Sequence, residues 1–507
     1  MAKMGRTGPL DMHVTIGTLP DDALLEIFDF YVHRGTPFSE LWYTLVHVCR
    51  RWRSIVFASP RRLNLRLICT PKRPVREMLA IWPAFPIIIK KGDPTTSLVE
   101  ALELGGADGV IAALEHSNRV CEIDLWRVPN VLLGRVVAAM QGPFPELTDL
   151  ELKSIDQLAP VLPDMFLGGS APRLQTLLLD GIPFPAARNL LRSASDLVDL
   201  GLGDLPHSGY ISPEVMVGCL SVMSRLRTLD LGFRSPRSCP ASDQAGGRLP
   251  PFTRTTLPAL IALEFRGVSE YFEDLVARID TPLLTGMRVT FFNQLVFDIS
   301  QLPQFISRTE TFKAIDQACV LFHENFVKLK LTMQDAKVDH TMLVLQISCH
   351  GIDWQLSSLE QVCNSVLSPF STLERLYIGE KPLGYGELNL LDDMDIAQWI
   401  ELLQPFITVN GLYLSEGLRH HLARILEELA RARPTEVLPV LQSVFIESLL
   451  SSRPVQDAME SFVAARRCFG HHIGVHRWDF EGEWDSTSED ESGQELGSEW
   501  DPGADDI

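Results

Sequence analysis

Leu147-Thr148-Asp149-Leu150-Glu151-Leu152 and Leu174-Gln175-Thr176-Leu177-Leu178-Leu179 carry one spacing, apolar-x-x-apolar-x-apolar. The last two apolar positions of each are two residues apart, the period that puts side chains on one face of a strand. The same spacing recurs upstream at Val120/Ile123/Leu125 and downstream at Leu197/Leu200/Leu202 and Leu226/Leu229/Leu231. It continues at Leu260/Leu263/Phe265, Leu284/Met287/Val289, Phe326/Leu329/Leu331 and Met342/Leu345/Ile347. Leu373/Leu376/Ile378, Val409/Leu412/Leu414 and Leu441/Val444/Ile446 follow, with a faint last copy at Val475/Trp478/Phe480. The middle positions of the first five copies lie 27, 27, 23 and 29 residues apart. Between them stand helix-like segments at Val131–Met140, Pro185–Ala194, Pro213–Met223, Ala397–Leu403 and Leu418–Ala432. A short strand with a return helix buries its apolar face only against a neighbour of the same kind, so stacked copies build one continuous core.

The expected fold is therefore α/β: parallel strands with return helices over residues 119–479, a period close to the roughly 20–29 residues of leucine-rich repeats. The usual asparagine of that consensus is absent, so the repeat is degenerate and irregular. The middle positions Leu329 and Leu345 are only 16 residues apart. That is too short for a helical crossover, and a local hairpin is expected there. Arg234 to Pro251, rich in Ser, Pro and Gly, reads as a flexible surface loop. Gly351–Leu356 and Gly379–Leu388 read as shorter insertions.

Ahead of the repeats, Leu19-Pro20-Asp21-Asp22-Ala23-Leu24-Leu25-Glu26-Ile27-Phe28 opens a helix. Pro20 suits a first turn, and Asp21 and Asp22 favour the positive end of the helix dipole. Thr36-Pro37 marks a second start, Leu41, Leu45, Val48, Cys49 and Trp52 form a second apolar stripe, and Ser59-Pro60 stops it. So small a unit leaves much of its surface uncovered, and part of the stripe is expected to face another protein. The plain alternative is a helical hairpin packed on the next domain.

Leu19-Pro20-x-Asp22-x-Leu24-Leu25-x-Ile27-Phe28, with Val48-Cys49-Arg50-Arg51-Trp52 behind it, resembles an F-box over residues 18–66. Together with Trp82-Pro83-Ala84-Phe85-Pro86-Ile87-Ile88 it is similar to the F-box-like proteins abundant in basidiomycete fungi. The resemblance implies docking on a Skp-type adaptor and, through it, on a cullin–RING ubiquitin ligase. It maps adaptor binding onto Leu19, Pro20, Leu24, Leu25, Ile27, Phe28, Val48, Cys49 and Trp52, some as contacts and others as packing. The Gly35-Thr36-Pro37 insertion and the missing second Trp near Leu63 depart from the pattern. The implied role is that of a substrate-recognition subunit with no chemistry of its own. A scaffold acting outside a ligase, or an enzyme within the repeats, are the competing readings.

The domain layout that follows is a loose arm over 1–17, an F-box over 18–66, a connecting segment over 67–118 and the repeat domain over 119–479. In the connecting segment Arg61–Cys69 and Phe85–Ile89 read as strands and Val75–Trp82 as a helix. Residues 480–507 read as a disordered acidic tail. From Asp479 onward there are 12 acidic and no basic residues, so residues 1–478 carry 53 acidic and 45 basic ones out of a net charge of −20. Ser486, Thr487 and Ser488 before Glu489-Asp490-Glu491 look like an acid-directed phosphorylation site, with a solubilising tail as the alternative.

Charge and cysteine use narrow the function class. A body this mildly acidic lacks the clustered basic face of a nucleic-acid binder. Nine scattered cysteines with no C-x-x-C pair, and no apolar leader, suggest reduced thiols in the cytosol or nucleus. No run of eighteen apolar residues suggests a membrane span. There is no G-x-x-x-x-G-K-[ST] or G-x-S-x-G, and Gly105-Gly106-Ala107-Asp108-Gly109 reads as a turn rather than a cofactor loop. Cys468, His471, His472 and His476, and separately His420-His421, lack a second ligand pair at structural-zinc spacing, so neither a cofactor nor a metal is expected. Arg50, Arg51, Arg53, Arg61, Arg62 and Arg66 read as the solvated side of the helices.

The strand positions between the core leucines face the opposite, concave side. In the first six strands they include Glu122, Asp124, Asp149, Glu151, Asp180, Asp199, Asp230 and Glu264, opposed by Lys153 and Arg266. Such a face would attract a basic segment of a target, with Asp124, Asp149, Glu151, Asp180, Asp199, Asp230 and Glu264 as the candidate target-binding residues. Generic surface polarity is the other explanation.

Overall fold

A computed structural model describes residues 16–33, 41–70, 73–90, 107–156, 159–185, 187–238, 254–297, 299–333, 342–349, 352–367, 370, 372–380, 396–415, 422–431, 436–447 and 453–478. The acidic tail, His420-His421 and most of the loose arm and of the 234–251 loop lie outside the described residues. The chain is mixed α/β and mostly parallel. Its strands are β1 (Leu67–Cys69), β2 (Ile87–Lys90), β3 (Val120–Val128), β4 (Asp149–Ser154), β5 (Thr176–Asp180) and β6 (Asp199–Leu205). Then come β7 (Thr228–Phe233), β8 (Thr255–Thr256), β9 (Ala262–Gly267), β10 (Ile279–Asp280), β11 (Gly286–Phe292) and β12 (Gln317–Phe322). The last are β13 (Phe326–Thr332), β14 (Met342–Ser348), β15 (Arg375–Glu380), β16 (Gly411–Leu414), β17 (Ser443–Glu447) and β18 (Gly474–Trp478).

The chain divides into two compact units, one of residues 1–314 and 335–348, the other of 315–334 and 349–507. The single repeat domain read over 119–479 is thus split. In the first unit the strands run β1-β2-β3-β4-β5-β6-β7-β9-β11-β14, every neighbouring pair parallel. The sheet begins at β1, well before residue 119: Ile68 and Ile88 pair across it. The segment read as a connector is therefore its first layer. Of the run Arg61–Cys69 only the last three residues form a strand, because Pro60–Asn64 turns, with Asn64 at φ 46°. Leu63 and Leu65 are buried all the same, so their alternation reported burial and not backbone.

Core packing follows the repeat spacing closely. Leu147, Leu150 and Leu152, Leu174, Leu177 and Leu179, and Leu197, Leu200 and Leu202 are all buried, and Leu150, Leu177, Leu200, Leu229 and Leu263 stand in one register row. Burying each such side chain contributes roughly 1.5–3 kcal/mol before the entropy of ordering it. Return helices lie at Asn130–Ala139, Ala187–Ser193 and Pro213–Leu220, near the expected segments. The last starts as its sequence suggests, with Ser212 as N-cap accepting from the Val215 N–H at 3.4 Å and Pro213 at the first position. Between β4 and β5 the described chain has a 3-10 turn, Phe166–Gly169, whose Phe166 and Leu167 fill the space of a helix. Gly109 lies in the helix Ala107–Leu114, not in a turn, and a Cβ there would meet Val75 Cγ2 at 3.2 Å.

The second unit orders its strands β13-β12-β15-β16-β17-β18, with helices Ile352–Val366, Ile396–Leu403, Leu422–Arg431 and Arg453–Cys468 between them. Its β12–β13 pair is antiparallel. This reversal joins Gln317–Phe322 to Phe326–Thr332, ahead of the hairpin expected between Leu329 and Leu345, and its first strand is one that the leucine spacing does not mark. Gln317–Phe322 is buried at five of six positions, so it shows no two-residue alternation. The faint last copy is out of register: Val475 pairs with Val444 of the core row, and Trp478 pairs with Glu447 on the other face. Phe480 lies outside the described residues.

Candidate functional site

Three helices, Asp21–His33, Leu41–Val48 and Arg50–Ala58, precede the first strand. Their common core is Leu24, Phe28, Trp42, Leu45, Val46, Ile55, Val56, Leu63, Leu65, Leu67 and Phe85. Phe28 packs on Trp52 with ring centroids 4.7 Å apart, and Trp42 meets Trp82 and Phe85 edge-on at 5.6 and 5.8 Å. The helices are thereby fastened to the chain that enters β2. The Arg51 guanidinium donates to Asp21 Oδ1 at 2.9 and 2.6 Å and to the Leu19 carbonyl at 2.5 Å. Arg62 pairs with Glu26 at 2.5 Å, and Arg53 donates to the Val46 carbonyl at 2.9 Å. Arg51 and Arg53 tie helix to helix, and Arg62, in the turn after the third helix, ties back to the first.

The nine residues mapped from the F-box pattern fall into distinct environments. Leu24 and Phe28 are fully buried, so a partner cannot touch them and they serve as packing. Leu19, Leu25 and Trp52 are half-buried against the same core. Cys49 is the N-cap of Arg50–Ala58, its Sγ accepting from the Trp52 N–H at 3.5 Å. Pro20, Ile27 and Val48 are exposed, Ile27 to 44% and Val48 to 56%. The structure adds Ile16 at 52% and Phe30 at 65% exposure, with Tyr31 next to Phe30 in sequence. Ile27 and Phe30 are three residues apart and share a helix face. The sequence reading passed over Phe30 because it sits outside the stripe that packs inward.

The acidic positions share the open face of the first unit, and the register shows which of them meet. Asp230 stands directly opposite Glu264, and Asp124 opposite Glu151. Much of this charge is answered locally. Lys90 pairs with Glu122 at 2.7 Å and Lys153 with Asp180 at 2.6 Å. Thr148 donates to Asp149 at 2.6 Å, Trp126 Nε1 to Glu151 at 3.0 Å and Thr228 to Asp199 at 2.5 Å. Among the described residues nothing donates to or pairs with Asp230 or Glu264. The Asp230 side chain reaches solvent, yet the surrounding chain strips water from its carboxylate, and Glu264 and Asp180 repel it, so its pKa is pushed up to about 7. Beside it Gly201 leaves a gap that the Leu178 side chain enters, since a Cβ there would lie 2.6 Å from Leu178 Cδ2.

Among the described residues no three His, Cys, Asp or Glu side chains converge as metal ligands, and no helix is long and apolar enough to cross a membrane. Cys468 and His472 are exposed, while His476 joins a row of rings on β18. No family model matches the chain, and no curated protein matches it.

Proposed function

We propose that the chain is the target-recognition subunit of a Skp–cullin–F-box ubiquitin ligase: an F-box followed by a degenerate leucine-rich-repeat solenoid. The observation that carries the reading is that the three amino-terminal helices bury one core together with Leu63, Leu65, Leu67 and Phe85 while Ile27, Phe30 and Val48 remain exposed. Exposed aliphatic and aromatic side chains on a small helical unit mark a surface for another protein. The chain performs no bond chemistry in this reading; it raises the target's effective concentration near the transferring subunits. The open acidic face of the first unit, with Asp230 and Glu264 unpaired, would receive a basic target segment. Charge reversal at Asp149, Glu151 and Asp230 is expected to abolish target capture.

The test is binding to a purified Skp-type adaptor. Ile27→Asp with Val48→Asp is expected to weaken it at least about 100-fold, as removal of central apolar anchors does, with the melting temperature unchanged. An intact chain that never pairs with the adaptor overturns the reading. Pairing with adaptor in cells from which cullin is always absent assigns the scaffold role instead.

A further inference from the structure

Local pairing leaves the open face of the first unit with two unlike ends. At the β3 end Trp126 is 49% exposed. The register of β3 against β4 slips between Leu125 and Val128, and Arg127 there takes φ 55°. Such a bulge re-aims a side chain. The contacts of Trp126 lie on the open face: its Nε1 donates to Glu151 at 3.0 Å, and Lys153 Nζ is 5.8 Å from the ring centroid. They fix the indole and still leave half of the residue in water. Two strands on, Leu178 is half-buried on the same face and lies against Gly201.

The β7 and β9 end is acidic. Asp230 and Glu264 are exposed and stand opposite each other. Among the described residues neither takes a hydrogen bond or an ion pair. Arg266, two residues after Glu264, stands over the Phe292 ring at 5.7 Å. Between the two ends Lys153 and Asp180 answer each other at 2.6 Å, and Gly203 beside Asp180 has no side chain. Carboxylates alone would take any polycation. An exposed tryptophan adds a requirement, since that side chain is among those that carry most of the binding energy at protein interfaces. A nucleobase could stack on the indole, but Asp124 and Glu151, opposite each other beside it, would repel the phosphates.

We propose, on the reading that this face meets the target, that Trp126 seats a large apolar side chain of the target segment while Asp230 and Glu264 hold a lysine or arginine further along it. Four strand steps separate β3 from β7. At about 4.8 Å each they span roughly 19 Å, which an extended chain covers in about six residues. None of the adaptor-facing residues takes part.

The test uses the full chain at pH 8, where Asp230, with its pKa of about 7, carries its charge. The probe is a fluorescent peptide of glycine and serine with one phenylalanine and a lysine pair about six residues on. A second peptide has serine for the phenylalanine, and a third has the lysines beside the phenylalanine. The first is expected to bind at least about tenfold more tightly than either of the others. Trp126→Ala is expected to erase its advantage over the second and to leave binding of the second unchanged, as a face that is still folded requires. Asp230→Asn with Glu264→Gln is expected to weaken all three and to flatten their salt dependence. A preference for phenylalanine that survives Trp126→Ala, or that ignores the spacing, overturns the role of Trp126 and leaves the acidic face as the target surface. Lysine peptides that bind the intact and the doubly substituted chain equally, or bind neither, overturn both.

Discussion

Glu273 shows how one side chain can secure an element it does not belong to. It lies in the helix Ser269–Ala277, nearly buried, and accepts from the Ser300 N–H at 2.7 Å, the Leu302 N–H at 2.9 Å and the Gln301 N–H. Those are the unsatisfied donors at the start of the helix Gln301–Arg308, and a carboxylate there also meets the positive end of its dipole. Glu273→Ala is expected to lose about 2–3 kcal/mol in urea denaturation, the cost of leaving buried donors unpaired. Asp230 gives a residue-scale prediction of the opposite kind. Its folded-state pKa of about 7 exceeds the ordinary 3.8, so the stability it contributes is present below pH 3.8 and lost as pH rises through 7. Asp230→Asn should therefore melt higher than the parent at pH 8 and close to it at pH 4. A parent that gains stability from pH 6 to pH 8 through this site would contradict the assignment. Neither role was legible in the sequence: Glu273 depends on a helix 28 residues away, and Asp230 on a register that pairs it with Glu264.

At the scale of elements, the leucine spacing disclosed most strands because each lies half-buried with a two-residue period. It failed where that condition failed. β12 is buried on both faces, and β18 carries Val475, not Trp478, in the core row. The helix-to-sheet alternation was readable, but the turn Phe166–Gly169 replaces a helix with buried aromatic and aliphatic side chains, which no period announces. The sorting of the nine positions mapped from the F-box resemblance into packing, capping and exposed groups was not legible in the sequence. Helical spacing separates inward from outward positions, but it does not tell which outward ones the next segment covers. Of the stacked row Tyr377, Tyr413, Phe445 and His476 on β15 to β18, only single residues were visible in the sequence; their stacking needs four strands in register. Tyr413→Ala removes two stacked partners, each worth about 0.5–1.5 kcal/mol beyond buried area, and is expected to lower stability by about 1–3 kcal/mol in urea denaturation, more than Tyr377→Ala.

Across the whole molecule, the division into two units gives each its own row of core leucines. Calorimetry is expected to resolve two transitions, since separate cores need not unfold together. Leu200→Ala should lower one and Leu412→Ala the other, each by the roughly 2–5 kcal/mol of a buried leucine truncation. A single transition shifted equally by both changes would show that the units unfold as one.

The order in which the first unit's strands are joined bears on how the chain is made. From β1 to β7, and on through β9 and β11, each strand lies beside one that precedes it in sequence. A ribosome releasing the chain would thus deliver every new strand to a template already standing, and assembly can keep pace with synthesis. That rhythm breaks after Phe292. The unit's outermost strand, Met342–Ser348, arrives only after residues 315–334, which belong to the other unit, have been translated. Until then Gly286–Phe292 waits with a bare edge, and this interval is where a nascent-chain chaperone would have most to guard.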